Sequence, residues 1–216
     1  MKILILGATG AAGSSLFELA LASPLVTAVR TISRRAIATG SAKHTGFQHG
    51  NLTDYAAVSD AFAGLDACFY CIGRATTLVK EDEYRTLAFD APQAAAKQLL
   101  ARSPAAVFHY LSGQGASLAS GQNWARIKAE AEADLIDHYR AVCWRPGAID
   151  AKNTSGWPFF YKLLIPAIRL VAPSRRFYVK GEDLARAMLQ VASTDARSLI
   201  IENLEIRRLA DAYPVR

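Results

Sequence analysis

Short apolar runs alternate with helical patterns along most of the chain, and this alternation predicts the fold. Residues 3–6 are all apolar, as in a parallel strand buried on both faces, and an apolar helical pattern includes Leu16 and Phe17. Further strands are predicted at residues 26–33, 47–50, 66–72, 106–111 and 141–145, and helices at residues 81–101 and 123–139. The pattern is typical of an α/β fold, a doubly wound parallel sheet with helices on both faces.

The rhythm of the sequence changes after Pro146. Residues 148–158 are predicted to form a loop, and residues 159–171 are an apolar segment interrupted by Pro166. A short strand at 176–179, a helix at 181–191, a strand at 198–201 and a helix at 202–212 complete the pattern. We expect one domain over residues 1–216, in which residues about 148–180 form a small C-terminal elaboration, the wall on the substrate side.

Composition narrows the class of protein. The chain has 216 residues, of which 51% are hydrophobic, so it can build the core of one full-sized domain. No apolar run approaches the roughly 20 residues of a membrane-spanning helix, which predicts a cytoplasmic protein with no membrane partner. The net charge of +6 comes from scattered basic residues without a recognition motif, so nucleic acid is not an expected partner.

The cysteines do not predict a metal site. Cys68 and Cys71 match a C-x-x-C spacing, but in a predicted strand residues three apart point to opposite faces. Together with Cys143 they are predicted to be reduced, buried thiols. The four histidines show no spacing typical of ligands, and we expect no metal.

A glycine-rich turn separates the first predicted strand from the first helix. Gly7 permits the turn, Gly10 lets the backbone approach a pyrophosphate, and Gly13 lets the helix pack close to the strand. The helix N-terminus adds free amides and a positive dipole end. The spacing is G-x-x-G-x-x-G rather than G-x-G-x-x-G, but its place between strand and helix predicts a dinucleotide site in a Rossmann-type fold. The predicted contacts are Gly7, Ala8, Thr9, Gly10, Ala11, Ala12 and Gly13.

The end of the second strand predicts which dinucleotide binds. NAD sites place an acidic residue about 20 residues beyond the glycines, on the ribose 2′-hydroxyl, whereas NADP sites accommodate arginine there. Arg34 and Arg35 occupy this position, and no acidic residue is nearby. Because two guanidinium groups can pair with a 2′-phosphate, the sequence favours NADP(H), with NAD(H) possible. The alternative interpretation is a solvated basic turn.

Four further motifs complete a recognisable series. They are Cys-Ile-Gly at 71–73, Leu-Ser-Gly at 111–113, Arg-Pro-Gly at 145–147 and Gly-Glu-Asp-Leu-Ala at 181–185. With the glycine turn and the two arginines, the chain resembles the atypical short-chain dehydrogenase/reductase family, and within it the NmrA-like and Tat-interacting-protein-like branch. The resemblance covers nearly the whole chain and implies NAD(P) binding, while saying little about the substrate.

The resemblance also implies catalytic residues. In this family a serine at the end of the fifth strand accompanies a Tyr-x-x-x-Lys pair on the next helix, where residues four apart share a face. The lysine lowers the tyrosine pKa and holds the nicotinamide ribose, and the tyrosine exchanges a proton as the hydride moves. Ser112 and Lys128 match the serine and the lysine. Trp124 occupies the tyrosine position, and its indole does not titrate near neutral pH.

Each of these residues has a second interpretation. Trp124 could be a packing residue over the cofactor, Ser112 a turn hydroxyl, and Lys128 a surface lysine. Tyr84 and Tyr110 could approach the nicotinamide from other elements, although nothing in the sequence shows it.

The resemblance places further cofactor contacts at the ends of strands. These are Cys71, Ile72 and Gly73 below the adenosine ribose and pyrophosphate, Asn51 and Leu52 near adenine, and Pro146 and Gly147 near nicotinamide. Lys128 is counted with them because of the ribose.

Two functions remain open at this point. The first is an NADP(H)-dependent oxidoreductase that acts on an unidentified small carbonyl compound, as a monomer or a homodimer. The second is a non-catalytic NADP(H) sensor or interaction protein, which the loss of the tyrosine favours. Fold alone does not decide between them.

Overall fold

The computed structural model of the protein describes residues 1–74, 78–150 and 177–214. Its centre is a seven-stranded sheet made of β1 (Lys2–Leu6), β2 (Ala28–Ser33), β3 (His44–Gln48), β4 (Ala67–Tyr70), β5 (Val107–Leu111), β6 (Val142–Arg145) and β9 (Leu199–Glu202). Neighbouring strands are all parallel, and their order across the sheet is β3-β2-β1-β4-β5-β6-β9. A second, two-stranded parallel sheet pairs β7 (Ala148–Asp150) with β8 (Tyr178–Lys180).

Helices cover both faces of the large sheet. One face carries α1 (Ala11–Ala22), α5 (Gly181–Ala192) and α6 (Asn203–Asp211), and the other carries a 3₁₀ helix (Ala56–Phe62), α3 (Ala91–Arg102) and α4 (Asn123–Tyr139). Along β1, Ile3 and Ile5 enter the first core, whereas Leu4 and Leu6 enter the second. The apolar run at the start of the chain is therefore buried on both faces, as the doubly wound α/β prediction required.

The strand order determines where a ligand can bind. β1 lies between β2 and β4. From β1 the chain first adds β2 and β3 on one side and then returns to add β4, β5 and β6 on the other side. In such sheets the loops that follow the strands separate at this point and leave a crevice at the carboxyl ends. The glycine turn follows β1 directly and forms one side of that crevice. No helix in the described ranges is long and apolar enough to cross a membrane.

Two predicted elements differ from the structure. β3 begins at His44 rather than at residue 47, because it is an edge strand whose polar residues pair with β2 and produce no apolar run. Residues 148–150 form β7 instead of a loop, since their partner β8 comes from much later in the chain. The rest of the predicted wall falls mainly on residues 151–176, which lie outside the described residues.

The long helix predicted before β5 contains one wider turn. α2 (Glu81–Arg85) runs into a π-helical segment (Thr86–Asp90) and then into α3. Pro92 explains the wider turn, because proline has no amide hydrogen and its ring clashes with the carbonyl four residues earlier. The amide of Ala91 donates instead to the carbonyl of Thr86.

Two buried tyrosines bind carbonyls in this wider turn. The Tyr70 hydroxyl donates to the carbonyl of Leu87 at 2.8 Å, and the Tyr110 hydroxyl donates to that of Ala88 at 2.5 Å. Ala88 is the residue whose carbonyl Pro92 cannot reach. The sheet thus supplies the missing donors, and β4 and β5 position the start of the long helix.

Candidate functional site

The glycine turn is packed tightly against the end of β4. Gly7 has φ +86°, and a Cβ on Gly7 would lie 2.8 Å from the carbonyl carbon of Cys71. A Cβ on Gly13 would lie 2.1 Å from the carbonyl oxygen of Gly7. Gly7 and Gly13 are therefore required by the packing of the backbone, whether or not a ligand is bound. Gly10 is different, because its Cβ would lie 3.4 Å from the nearest atom, a distance that needs only a small adjustment.

The start of α1 offers amides to a ligand. Gly10 donates to the carbonyl of Gly7 at 3.0 Å, and the amide of Ser14 donates to Gly10 at 2.9 Å. The geometry of an α-helix leaves the amides of residues 11–13 without intrahelical acceptors. Ala8 and Ala12 are buried and belong to the core below the turn, so any contact they make with a ligand is through the backbone.

A cavity of about 320 Å³ opens beside this turn, at the carboxyl ends of β1, β2 and β4. Eight of the residues predicted from the sequence line it: Gly7, Thr9, Gly10, Arg34, Leu52, Cys71, Ile72 and Gly73. Seven residues that were not predicted line it as well: Ile32, Ser33, His49, Gly50, Arg74, Glu83 and Leu87. Asn51 is not among the lining residues, and its side-chain oxygen accepts hydrogen bonds from the amide and hydroxyl of Thr53.

Arg34 and Arg35 extend the cavity along the end of β2. A neighbouring pocket is formed by Thr9 and residues 33–37, so both arginines stand beside the glycine turn. Both are exposed, and neither forms an ion pair with a described residue. Their carbonyls are held by Gln48 at 3.2 Å and by the Ser33 hydroxyl at 2.5 Å, respectively. The backbone of the turn is thus fixed while the two guanidinium groups face solvent.

The cavity also has a charged pair that the sequence analysis missed. Arg74 follows Gly73 just beyond β4, and Glu83 comes from α2. Arg74 Nη1 lies 3.4 Å from Glu83 Oε1. The position of Arg74 directly after a predicted contact was a usable signal, whereas nothing local to Glu83 indicated that it would reach the same cavity.

The candidate catalytic residues lie together around the end of β5. Ser112 follows β5, and its hydroxyl oxygen is buried with no hydrogen-bond partner among the described residues. The Trp124 ring lies beside the turn after β5, where Cβ atoms on Gly113 and Gly115 would be 3.6 and 3.8 Å away. Its indole N–H donates to the side-chain oxygen of Gln122. Trp124 therefore packs against this turn and already has an acceptor for its one donor.

Lys128 is buried, with 7% of its surface exposed, so it is not a surface lysine. Its ammonium donates to the carbonyl of Leu111 at 2.8 Å and lies 4.5 Å from the centre of the Tyr110 ring. Burial lowers the pKa of Lys128 to about 8, while the carboxylate of Glu132, one turn later, acts in the opposite direction. The ammonium thus contacts the residue directly before Ser112, and burial makes it a weaker base than an ordinary lysine.

Glu132 is bound mainly by another cation. Arg145 Nε and Nη2 donate to its carboxylate at 2.9 and 2.5 Å, and Arg145 Nη1 donates to Glu202 at 2.9 Å. Glu132 is 1% exposed, and its hydrogen bonds raise the pKa of Arg145. This buried pair ties α4 to the end of β6, directly before Pro146.

Pro146 and Gly147, the predicted nicotinamide contacts, are fixed by hydrogen bonds to other loops and helices of the domain. The amide of Gly147 donates to Asn203 Oδ1 at 2.8 Å, and the carbonyl of Pro146 accepts from the amide of Gln114 at 2.9 Å. A Cβ on Gly147 would lie 2.3 Å from the carbonyl oxygen of Phe177, so glycine is required there. Neither Pro146 nor Gly147 lines the 320 Å³ cavity, and the same holds for Ser112, Trp124 and Lys128.

The alternative tyrosines differ in what they can do. The Tyr110 hydroxyl is fully buried and bound to Ala88, so it does not reach a ligand. Tyr84 packs with Ile127 and Trp124 in a small cluster between α2 and α4. Burial raises the pKa of Tyr84 to about 12, so it stays protonated at neutral pH.

Comparison with known proteins agrees with this geometry. The sequence matches the profile of a family described as NAD(P)H-binding over residues 7–194, which is most of the chain. The search of curated proteins finds no match.

Similar solved structures share the fold at low sequence identity. One is a dTDP-glucose 4,6-dehydratase double mutant from Streptomyces venezuelae with NAD and DAU bound, which is 14% identical to this chain with a TM-score of 0.73. The match covers 99% of this chain and 80% of the dehydratase chain. A short chain dehydrogenase family protein from Francisella tularensis is 13% identical with a TM-score of 0.69, covering 94% and 98%. An oxidoreductase of the short chain dehydrogenase/reductase family from Burkholderia thailandensis is 17% identical with a TM-score of 0.69, covering 95% and 92%.

The family match, the fold and the glycine-lined cavity define a protein that binds a nicotinamide dinucleotide. The chain belongs to the NAD(P)H-binding family. The predicted likeness to short-chain dehydrogenases/reductases is confirmed in the fold, whereas the likeness to the NmrA-like and Tat-interacting-protein-like branch stays a prediction.

Proposed function

We propose that the protein binds NADP(H) in preference to NAD(H) and uses it as an oxidoreductase on a small carbonyl compound. The preference for NADP(H) is supported by the pair of exposed arginines beside the glycine turn. Arg34 and Arg35 stand where the adenosine ribose of a dinucleotide on this turn would lie, and no carboxylate comes from the same strand end.

The residues present fit such a cofactor. The pyrophosphate would be held by the free amides at the start of α1, and the 2′-phosphate by the two guanidinium groups. Gly10 supports this fit, because the protein's own packing does not demand glycine there while close approach of a phosphate does. The similar solved structure from Streptomyces venezuelae binds NAD, so the preference for the phosphorylated cofactor is a property proposed for this chain alone.

The test is a titration of the protein with NADPH and with NADH, followed by nicotinamide fluorescence. Changing Arg34 and Arg35 together to Ala should weaken NADPH binding about tenfold or more, because each lost charge-assisted hydrogen bond is worth roughly 1.5–3 kcal/mol. NADH binding should change little. The matched control is the double change of Arg207 and Arg208, an adjacent pair on α6, to Ala. Equal losses for the two cofactors would refute the 2′-phosphate assignment.

The chemistry proposed for the site is hydride transfer, which the bound nicotinamide supplies. Ser112 would donate a hydrogen bond to the carbonyl oxygen, and its unsatisfied buried hydroxyl is suited to that role. Lys128 would bind the nicotinamide ribose, since an ammonium has three donors and Leu111 takes one of them. Trp124 would shape the pocket without transferring a proton.

A second function is favoured by one observation. The Trp124 indole is bound to Gln122 and packed on the turn after β5, so the position of the family tyrosine holds no acid. A non-catalytic NADP(H) sensor would need the cofactor cavity but no proton donor at position 124.

The two functions are separated by NADPH oxidation with a panel of aldehydes, ketones and quinones. Turnover by the wild type would support the oxidoreductase and show that another group supplies the proton. Tight NADPH binding without turnover, rescued by Trp124→Tyr, would support the sensor. Failure to bind either nucleotide would refute both.

A further inference from the structure

Among the described residues, one ion pair lies in the cavity, and its two members come from different elements of the fold. Arg74 comes from the end of β4 and Glu83 from α2, and both side chains line the cavity. Their single contact of 3.4 Å is longer than the roughly 2.7–2.9 Å of a good charge-assisted hydrogen bond. The side chains are 51% and 53% exposed, so the pair is held weakly and can separate at little cost.

Glu83 is the exception in the charge pattern of this cavity. Among the described residues that line it, Arg34 and Arg74 are cationic, and Glu83 is the sole carboxylate. A carboxylate is unfavourable in a site for a polyanion unless a cation neutralises it. Arg74 neutralises Glu83 in the free protein, and it lies on the side of the cavity opposite to β2.

The position of Arg74 points to one part of the cofactor. The end of β4 touches the glycine turn, and the carbonyl oxygen of Cys71 would be 3.9 Å from a Cβ on Gly10. Arg74 follows three residues later, so it approaches the turn from the β4 side, whereas Arg34 approaches it from β2. A phosphate seated on the amides at the start of α1 would lie between these two approaches.

We propose that Arg74 is a further cofactor-binding residue that contacts the pyrophosphate, and that Glu83 competes with the pyrophosphate for it. Binding then exchanges one partner of Arg74 for another: the contact with Glu83 breaks, and the guanidinium group pairs with phosphate oxygens. This inference rests on the proposed cofactor site, but it is independent of the preference for NADP(H), because NAD(H) carries the same pyrophosphate.

The consequence is that the two charges affect binding in opposite directions. Arg74→Gln should weaken the binding of NADPH and of NADH by the same factor, about tenfold or more. Glu83→Gln should tighten the binding of both, by about two- to fivefold, since it frees Arg74 and removes a repulsive charge. In the double variant the gain from Glu83→Gln should shrink, because there is no longer an arginine to release.

The experiment measures dissociation constants for NADPH and NADH by nicotinamide fluorescence on the full chain. The matched control is the ion pair between Arg102 and Asp60, at 2.9 Å. That pair joins the end of α3 to the 3₁₀ helix that precedes β4, so it lies near the amino ends of the strands, whereas the cavity lies at their carboxyl ends. Arg102→Gln and Asp60→Asn make the same charge changes and should leave both constants unaltered.

Each other outcome contradicts the proposal in a recognisable way. A loss confined to NADPH in Arg74→Gln would place Arg74 on the 2′-phosphate, and unchanged constants would remove it from the site. Weaker or unchanged binding in Glu83→Gln would show that Glu83 does not compete for Arg74. If the wild type binds neither nucleotide, the proposed function and this inference both fail, whereas normal wild-type binding with an inert Arg74 refutes this inference alone.

Discussion

Replacing Lys128 with Met should change how stability depends on pH, because the lysine is charged in a buried place. Its pKa is lowered to about 8 from the usual 10.5 by burial. Met fills a similar volume and is uncharged. The variant therefore removes the titration and keeps most of the packing around the ring of Tyr110.

The sign follows from the protons bound in each state. Below pH 8 the ammonium is charged in both the folded and the unfolded chain, and the folded chain bears the full penalty of burying it. Between pH 8 and 10.5 the unfolded chain holds a proton that the folded chain has released, so stability rises with pH. Relative to Lys128→Met, the wild type should gain about 2 kcal/mol between roughly pH 7 and pH 9.5.

The assay is urea unfolding of both proteins at a series of pH values. Only the difference between the two curves matters, because burial raises the pKa values of Tyr70 and Tyr110 well above 10 and keeps both protonated in the folded proteins over this pH range. Curves that stay parallel from neutral to alkaline pH would refute the reasoning and mean that Lys128 is solvated like an ordinary lysine. A wild type that loses stability relative to the variant would show that Glu132 outweighs burial.

Three further predictions concern the elements that hold the site. Tyr110→Phe should destabilise the protein by about 1–3 kcal/mol in urea unfolding, since the carbonyl of Ala88 loses its donor while the ring stays in place. Gly13→Val should leave little folded protein by circular dichroism or abolish NADPH binding, because even a Cβ would lie 2.1 Å from the Gly7 carbonyl; normal binding would contradict the described turn. Cys71 should resist iodoacetamide at pH 7.5 in the folded protein, because burial raises its pKa to about 12, and rapid alkylation would show that the cavity wall opens.

The glycine turn could be predicted because its cause is local. A strand, three glycines and a helix start lie within one short stretch, and each glycine has a role defined by its neighbours. Lys128 could be located for a similar reason, since helical spacing and a family motif mark its position. Its burial could not be predicted, because the helix face that it occupies turns toward the end of β5 only in the folded chain.

The parts that sequence reasoning missed depend on contacts between distant segments. Glu83 belongs to an acidic, solvent-facing first turn of α2, and only the packing of that helix brings it to Arg74. That packing depends in turn on Pro92, whose missing amide allows the wider turn that Tyr70 and Tyr110 complete. These contacts join segments that are far apart in the sequence, so they produce no periodic pattern from which they could be predicted.

The buried charges around the end of β5 indicate that Lys128 does more than pack. The carboxylate that lies one turn from Lys128 is bound by Arg145, so within the described residues Lys128 forms no ion pair. A buried ammonium without a carboxylate destabilises a fold, and a hydrophobic residue would serve packing better. Its ammonium donates to the carbonyl of Leu111, the residue directly before Ser112, whose buried hydroxyl has no hydrogen-bond partner among the described residues. A buried ammonium with donors to spare and a buried hydroxyl without a partner are costly in an empty site, and both become favourable once a ligand with hydroxyl or carbonyl groups binds them. The arrangement therefore favours a site built for a ligand at the end of β5, whether or not a proton is transferred there.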